Sequence, residues 1–504
     1  MKLWIQFVVC AVGFLFLVFG FVLIQKFPAV VQRKLGEKLV IRPDSPTIGN
    51  FIETPIPVYM QFYFFNVTNP QEILTGSRPA LQEIGPFTYL EKRLKHDLNW
   101  TDTTVEYLEN TKFFFQPEMS NGLTEETPIT TVNPVLISVA SKATGKNSFI
   151  DGIIEFFRQR FELNVFITKT AGELLFHGYE EDFLLEIYKF TNNPQYRTGR
   201  FGFFYPKNDS DGGKYSIFTG ADGLDQLQVI DEYEDSKTLD YWSDPYCNMI
   251  NGTTGGQFPQ PINPGINITM FSGDLCRSLY LTYEKSINHG GLELLRYSLP
   301  NEVLADRPEN QCYCTDNFTC KASLVNLAPC RAGSPVIAST PHFYMGDSEL
   351  VSAVDGLHPS KEEHETFLDI EPNTGVSFRA VKRIQISMPL KPYANLPILS
   401  NVTPAIFPLL WLDENALVPE DRARKLHEQL SNPIKISQWI SYALFALGGV
   451  FVIAPLIAVV ESKHRRKNNK SSVEKERREN SEEGESFDPL SSRTDHNLDD
   501  PEKE

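Results

Sequence analysis

The sequence predicts a large, mostly antiparallel β domain held between two membrane-crossing helices. Three observations predict it. An uncharged run lies near each end of the chain, cysteines and glycosylation sequons gather between the runs, and that middle stretch is built of short β-branched or aromatic segments punctuated by turns.

The first run, Leu3 to Gln25, has 23 residues without a charge, and the second, Ile436 to Val460, has 25. Each exceeds the roughly 20 residues that a bilayer requires. A cleaved signal peptide has an apolar core of about 7–15 residues and a small-x-small site after it, so the longer first run reads as an uncleaved anchor. Five basic residues lie between Lys463 and Lys470, whereas only Met1 and Lys2 precede the first run. Positive flanks stay in the cytosol, which places both termini there. The expected organisation is a cytoplasmic segment 1–2, an anchor 3–25, an exported domain 26–435, a second anchor 436–460 and a cytoplasmic tail 461–504. The tail turns from basic to acidic without apolar periodicity and reads as disordered. Its basic start fits contact with anionic lipid and fits ordinary topogenic charge equally well.

Seven sequons fall between the anchors, at Asn66, Asn99, Asn208, Asn251, Asn267, Asn317 and Asn401, and all are expected to be glycosylated. Six cysteines, Cys247, Cys276, Cys312, Cys314, Cys320 and Cys330, share one 84-residue stretch of the same loop. An even number in an oxidising compartment reads as disulfides rather than a zinc site, and six cysteines permit 15 pairings. Cys10, inside the first run, reads as a small apolar residue, with lipidation the lesser alternative.

The loop carries a formal charge of -15, which makes it a poor trap for nucleic acid. Runs such as "VYMQFYFFNV", "KYSIFTG" and "RIQISMPL" read as strands, and no linker or repeat divides the loop. Phe149 to Leu163, "FIDGIIEFFRQRFEL", has the clearest helical period, with Arg158 and Glu162 spaced to pair. It fits a core helix with a solvated outer face, and it also fits a helix that presents phenylalanines and arginines to a ligand.

Catalytic patterns are weak. "GDSEL" (346 to 350) matches three residues of a hydrolase signature and reads as an exposed turn; "NDSDGG" (208 to 213) lacks the glycine and glutamate of a calcium loop. His358 and His364 lack H-E-x-x-H spacing. The reading is therefore a non-enzyme without metal or cofactor.

Several stretches together resemble the class B scavenger receptor family: "FNVTNPQEIL" (65 to 74), "EIGPFTY" (83 to 89), "ELLFHGYEEDFL" (173 to 184), "CNMINGT" (247 to 253), "DLCRSLY" (274 to 280), "DGLHPSKEEHETFLDIEPNTG" (355 to 375) and "PLLWLDE" (408 to 414). That family includes fatty acid translocase, the high-density-lipoprotein receptor and a lysosomal integral membrane protein that carries an enzyme. The resemblance implies an α+β fold, with an antiparallel β-barrel core, an apical helical bundle near 134–193 and an internal apolar tunnel. It also implies the pairings Cys247–Cys312, Cys276–Cys330 and Cys314–Cys320.

By the same resemblance the 149–163 helix lies in the apical bundle, and Phe156, Phe157, Arg158, Arg160 and Phe161 are the candidate ligand-binding residues. Arg160 matches one of two ligand-capturing lysines of fatty acid translocase, and Glu162 reverses the charge of the other. His177 is an extra residue in "LLFHGY", where the family usually has Leu-Leu-Trp-Gly-Tyr, and it reads either as a solvated loop residue or as a sensor of endosomal pH.

The implied function is a receptor that binds lipids, sterols or lipoprotein-like particles and passes apolar cargo through the tunnel to the membrane. Drawing a 16-carbon chain through water costs about 13 kcal/mol, at about 0.8 kcal/mol per methylene, so a dry conduit is useful without any chemistry. Alternatives are a lysosomal protein that carries a hydrolase or exports lipid, and a recognition receptor for microbes or apoptotic cells. The expected partners include a protein ligand at the apical helices and a second copy of the chain, with nucleic acid excluded. The expected location is the plasma membrane, with the lysosomal or endosomal membrane as alternative. The acidic di-leucine address expected at the C-terminus of the lysosomal relative is missing from the tail, where "SFDPLSS" (486 to 492) is a weak substitute.

Overall fold

The computed structural model describes residues 3–45, 47–143, 148–191, 196–315 and 320–482. Among these the helices are α1 (Leu3–Leu39), α2 (Ile48–Ile52), α3 (Pro70–Leu74), α4 (Pro134–Ala143), α5 (Ser148–Arg160), α6 (Asp182–Thr191), α7 (Ser348–Ser352), α8 (Lys361–His364) and α9 (Glu420–Glu482). The described residues form two compact units, one within 3–31 and 431–482 and one within 32–430.

In the first unit both helices are long and apolar enough to cross a membrane. They touch where side chains are smallest: a Cβ on Gly13 would stand 2.8 Å from Phe451 Cβ and 2.9 Å from Gly448 O. Close backbone approach of this kind is a usual basis of helix association in lipid. Each helix overruns its uncharged run. In particular, the tail expected to be disordered from Glu461 is helical as far as Glu482. Residues 461–482 contain no glycine or proline, and extending an existing helix needs no new nucleus. Residues 483–504 lie outside the described residues.

The second unit is dominated by strands. They are β1 (Val58–Val67), β2 (Leu81–Trp100), β3 (Thr104–Phe115), β4 (Pro128–Val132), β5 (Phe166–Thr170), β6 (Tyr179–Glu180), β7 (Arg200–Phe201), β8 (Ser210–Phe218) and β9 (Ile230–Tyr233). After them come β10 (Ile268–Ser272), β11 (Arg277–His289), β12 (Leu292–Ser298), β13 (Val325–Asn326), β14 (Ile337–Ser339), β15 (Phe367–Ile370), β16 (Ser377–Leu390) and β17 (Ala405–Leu417). Most join one antiparallel sheet in the order β10-β11-β12-β15-β16-β17-β1-β2-β3-β8-β9. Strand alternation gives this sheet two different faces.

On one face Leu410, Leu412, Phe62, Phe64, Phe87 and Tyr89 meet Leu174, Leu175 and Phe176 from a single π-helical turn, Glu173–His177. On the other, Phe65, Val67, Phe407 and Trp411 pack with α4 and α6 through Leu136, Ile137, Phe183 and Leu184. Helices thus cluster around 134–191, where the apical bundle was expected, but the described contacts do not amount to a bundle.

The sheet is open, because its end strands β9 and β10 do not pair. Both bond the same connecting segment instead. Ile230 N–H donates to Gly252 O (2.9 Å), while Phe271 N–H donates to Thr253 O (2.9 Å). Gly252, at φ +83°, is needed there, since a Cβ would meet Thr269 O at 2.0 Å.

Disulfides join Cys247 to Cys312, Cys276 to Cys330 and Cys314 to Cys320, with Cα separations of 6.2, 6.5 and 5.2 Å. Cys10 is a free thiol.

Candidate functional site

The helix expected over 149–163 ends earlier, at Arg160. Leu163 N–H donates to Arg158 O (2.9 Å) and Glu162 N–H to Gln159 O (3.3 Å), the paired bonds of a Schellman cap. The cap holds Glu162 at φ +51°, so it turns away from the helix and cannot pair with Arg158 as its spacing suggested. Arg158 instead reaches back to Glu155, at 2.7 Å. Hydrogen bonding from Arg158 is the main reason the Glu155 pKa lies below its usual value.

The candidate ligand residues adjoin one another, with ring centroids of Phe156 and Phe157 5.6 Å apart and of Phe157 and Phe161 6.0 Å apart, but differ in exposure. Phe156 is 62% exposed. Phe157 and Phe161 are half-buried against Phe183, with ring centroids 5.7 and 6.0 Å away. Arg160 lies over the Phe161 ring at 5.8 Å. The helix therefore offers one phenylalanine, not three, to a partner. Beside it an open groove of about 500 Å³ is lined by Phe161, Leu185, Tyr188 and Lys189.

His177 closes the π-helical turn, so it is not a loop residue; its Nε2 lies 3.4 Å from Glu125. "GDSEL" enters α7 and is not a free turn. Among the described residues no cluster of His, Cys, Asp and Glu could hold a metal ion. Asn99, Asn208, Asn251, Asn267 and Asn401 are exposed, and Asn66 is half-buried with Oδ1 accepting from Thr130 N–H (2.8 Å). Asn317 lies outside the described residues.

The sheet face that carries the Phe62–Phe176 cluster also carries an ionic network. Arg93 on β2 reaches Glu91 (2.8 Å) and Glu414 (3.0 Å), Lys382 reaches Glu414 (3.3 Å), and Lys95 reaches Glu109 (2.7 Å). Burial opposes charge on Arg93, yet Glu414 and Glu91 raise its pKa well above the usual range. Glu91 is pushed up, chiefly by burial, while Lys382 and Arg93 overcome burial to hold Glu414 low. Nearby, Lys207 (2.9 Å) and Arg331 (3.4 Å) embrace Asp274, and Lys207 is the main cause of its fall to about 2.

Register fixes the border between the two zones. Glu414 stands opposite Met60, and one step along the same face Leu412 stands opposite Phe62. Ionic surface gives way to hydrocarbon within two residues of β17.

The opposite face holds a buried histidine pair. His342 Nδ1 accepts from His358 N–H (3.0 Å), so its proton sits on Nε2, which donates to Glu83 (2.7 Å). Trp411 Nε1–H donates to the same carboxylate (2.7 Å). The His364 ring stacks on His342 at 4.4 Å, and its Nδ1 accepts from Ser360 N–H (2.9 Å). Three stretches singled out in the sequence, around Glu83, His364 and Trp411, meet here, and the roles are structural. His342 carried no sequence signal, because its partners are distant along the chain.

Comparison with known proteins places these features. The model of the CD36 family matches residues 11–459. The chain is 35% identical over 428 residues to lysosome membrane protein 2 of Homo sapiens, covering 84% of this chain and 88% of that one. It is 30% identical over 459 residues to scavenger receptor class B member 1 of Bos taurus, covering 90% and 89%. Against the same receptor of Cricetulus griseus the identity is 31% over 466 residues, covering 92% and 91%.

Proposed function

Since the chain belongs to the CD36 family, we propose that it is a membrane receptor that binds lipids, sterols or lipoprotein-like particles and passes their apolar parts through the interior of the sheet domain to the membrane. The observation that carries this reading is the two-zone face of the sheet. Its aromatic zone solvates a hydrocarbon tail, and the adjoining ionic zone accommodates the polar head. A barrel-like enclosure is part of the proposal, supported by the segment Gly252–Thr253 that bonds both end strands. Exposed Phe156 and the groove lined by Phe161 and Leu185 serve as the capture surface. The proposal also includes cytosolic termini and glycans at the sequons.

The test is transfer of fluorescent fatty acid or sterol from donor particles to vesicles that contain the purified full chain. Transfer above that of empty vesicles is expected; a folded, glycosylated chain that neither binds nor transfers either lipid overturns the reading.

A second reading is favoured by the relatives named lysosome membrane protein 2: residence in the lysosomal membrane, with Phe156 as a protein contact. Imaging the tagged chain against plasma-membrane and lysosomal markers separates the two.

A further inference from the structure

Arg277 is 5% exposed, and no carboxylate lies within ion-pair distance of it among the described residues. Half-buried Arg296 and Arg383 differ, since each reaches an aspartate, at 2.7 and 3.0 Å. Neutral groups surround Arg277: its Nη2 donates to Val303 O (3.2 Å) and, weakly, to Asn310 Oδ1 (3.5 Å), the Tyr313 side chain also bonds it, and its Nε is buried without an acceptor. The guanidinium lies 3.7 Å from the Tyr313 ring centroid, which fixes its plane. A desolvated cation satisfied this incompletely is costly, and an incoming anion would relieve it.

Arg277 also lines a cavity of about 550 Å³, a volume suited to a small organic ligand. Around the same cavity stand Tyr246, Met249, Ile266 and Tyr280, exposed by 59, 37, 39 and 36%. Tyr246 and Tyr313 each adjoin a half-cystine of the Cys247–Cys312 bond, so one covalent link holds both aromatic walls. We propose that this cavity binds a small monocarboxylate with an apolar substituent, its carboxylate on Arg277 and its substituent against Tyr246, Met249, Ile266 and Tyr280.

Charge sets the preference for a single negative charge. The other cation of the lining, Arg307, already faces Glu302 and Glu309, each at 4.0 Å, and these acids repel a dianion such as a phosphate monoester. Asn251 and Asn267 line the cavity too, and the glycans proposed there fence its mouth against a protein surface. The site is separate from the sheet face that carries the transfer reading, so either can fail alone.

Calorimetric titration of the purified full chain with 3-phenylpropionate tests the site. The acid is expected to bind at least about tenfold more tightly than neutral 3-phenylpropionamide, the scale of one charge-assisted hydrogen bond. It should likewise exceed 3-phenylpropyl phosphate. Met249→Asp, an exposed change at the rim, should weaken the acid by at least about tenfold with an unchanged melting temperature. Arg277→Gln should abolish the difference between acid and amide; if that variant does not fold, the amide comparison and Met249→Asp decide. Equal binding of acid and amide, no binding of the acid, or an unaffected Met249→Asp variant overturns the proposal.

Discussion

Phe176→Ala is expected to destabilise the sheet domain by about 3–5 kcal/mol, the usual loss for truncating a buried phenylalanine, and to speed lipid transfer in whatever fraction remains folded. Phe176 is 6% exposed and sits at the hub of the aromatic zone. Its ring centroid lies 4.6 Å from Phe113, 4.8 Å from Tyr89 and 5.7 Å from both Phe62 and Phe204. On the proposed passage along this face, a hydrocarbon chain must displace the π-helical turn bearing Phe176, which would make the residue an obstruction as well as part of the core. Denaturant unfolding measures the first effect, and the vesicle assay, normalised to folded protein, measures the second. Phe176→Leu fills more of the space and should give smaller changes of the same signs. A large stability loss with no gain in transfer would make Phe176 an ordinary core residue and send the path elsewhere.

Acidification is the second large effect. Burial first, and His342 second, hold the His364 pKa down at about 4 against an ordinary 6.5. The unfolded chain takes up a proton near pH 6.5, and the folded chain refuses it until about pH 4. Between those limits the unfolded state binds more protons, so stability is full above pH 6.5 and declines by as much as about 3 kcal/mol towards pH 4. Arg383 and His342 act in this direction and Glu83 against it.

Glu83 adds to the decline at lower pH. Burial raises its pKa, but bonds from His342 and Trp411 prevail and lower it, so its contribution is lost only as pH falls through that lowered value. His364→Gln removes the histidine term. The wild type should therefore lose about 3 kcal/mol more than the variant between pH 6.5 and 4. Parallel pH profiles would show that His364 carries no such penalty. A chain residing in an acid compartment would live with this loss, and one at the cell surface would not.

Local patterns made much of this architecture legible. "VYMQFYFFNV" alternates and becomes β1, and the uncharged runs become the apolar parts of α1 and α9. Non-local facts were hidden. Arg93 and Lys95 lie in the charged run "EKRLKH" (91 to 96), which reads as solvated, and only the register of β2, β3 and β17 reveals that they and Glu109 enclose one another. Arg277 reads as an ordinary charge in "DLCRSLY", because the groups that bury it, Val303, Asn310 and Tyr313, come more than 25 residues later. The α5 end escaped periodicity for a different reason. Leu163 is apolar in helical phase but closes a Schellman cap, and Glu162 adopts the left-handed turn usually left to glycine.

The most direct measurement is photo-crosslinking of the full chain with a fatty acid that carries a diazirine at its terminal carbon, followed by mapping of the labelled peptides by mass spectrometry. Labels on β1, β2 and β3 at Phe62, Phe87 and Phe113 are the predicted result. Labels confined to α5, α6 or the two long helices, in protein that transfers the lipid normally, would contradict passage through the sheet interior.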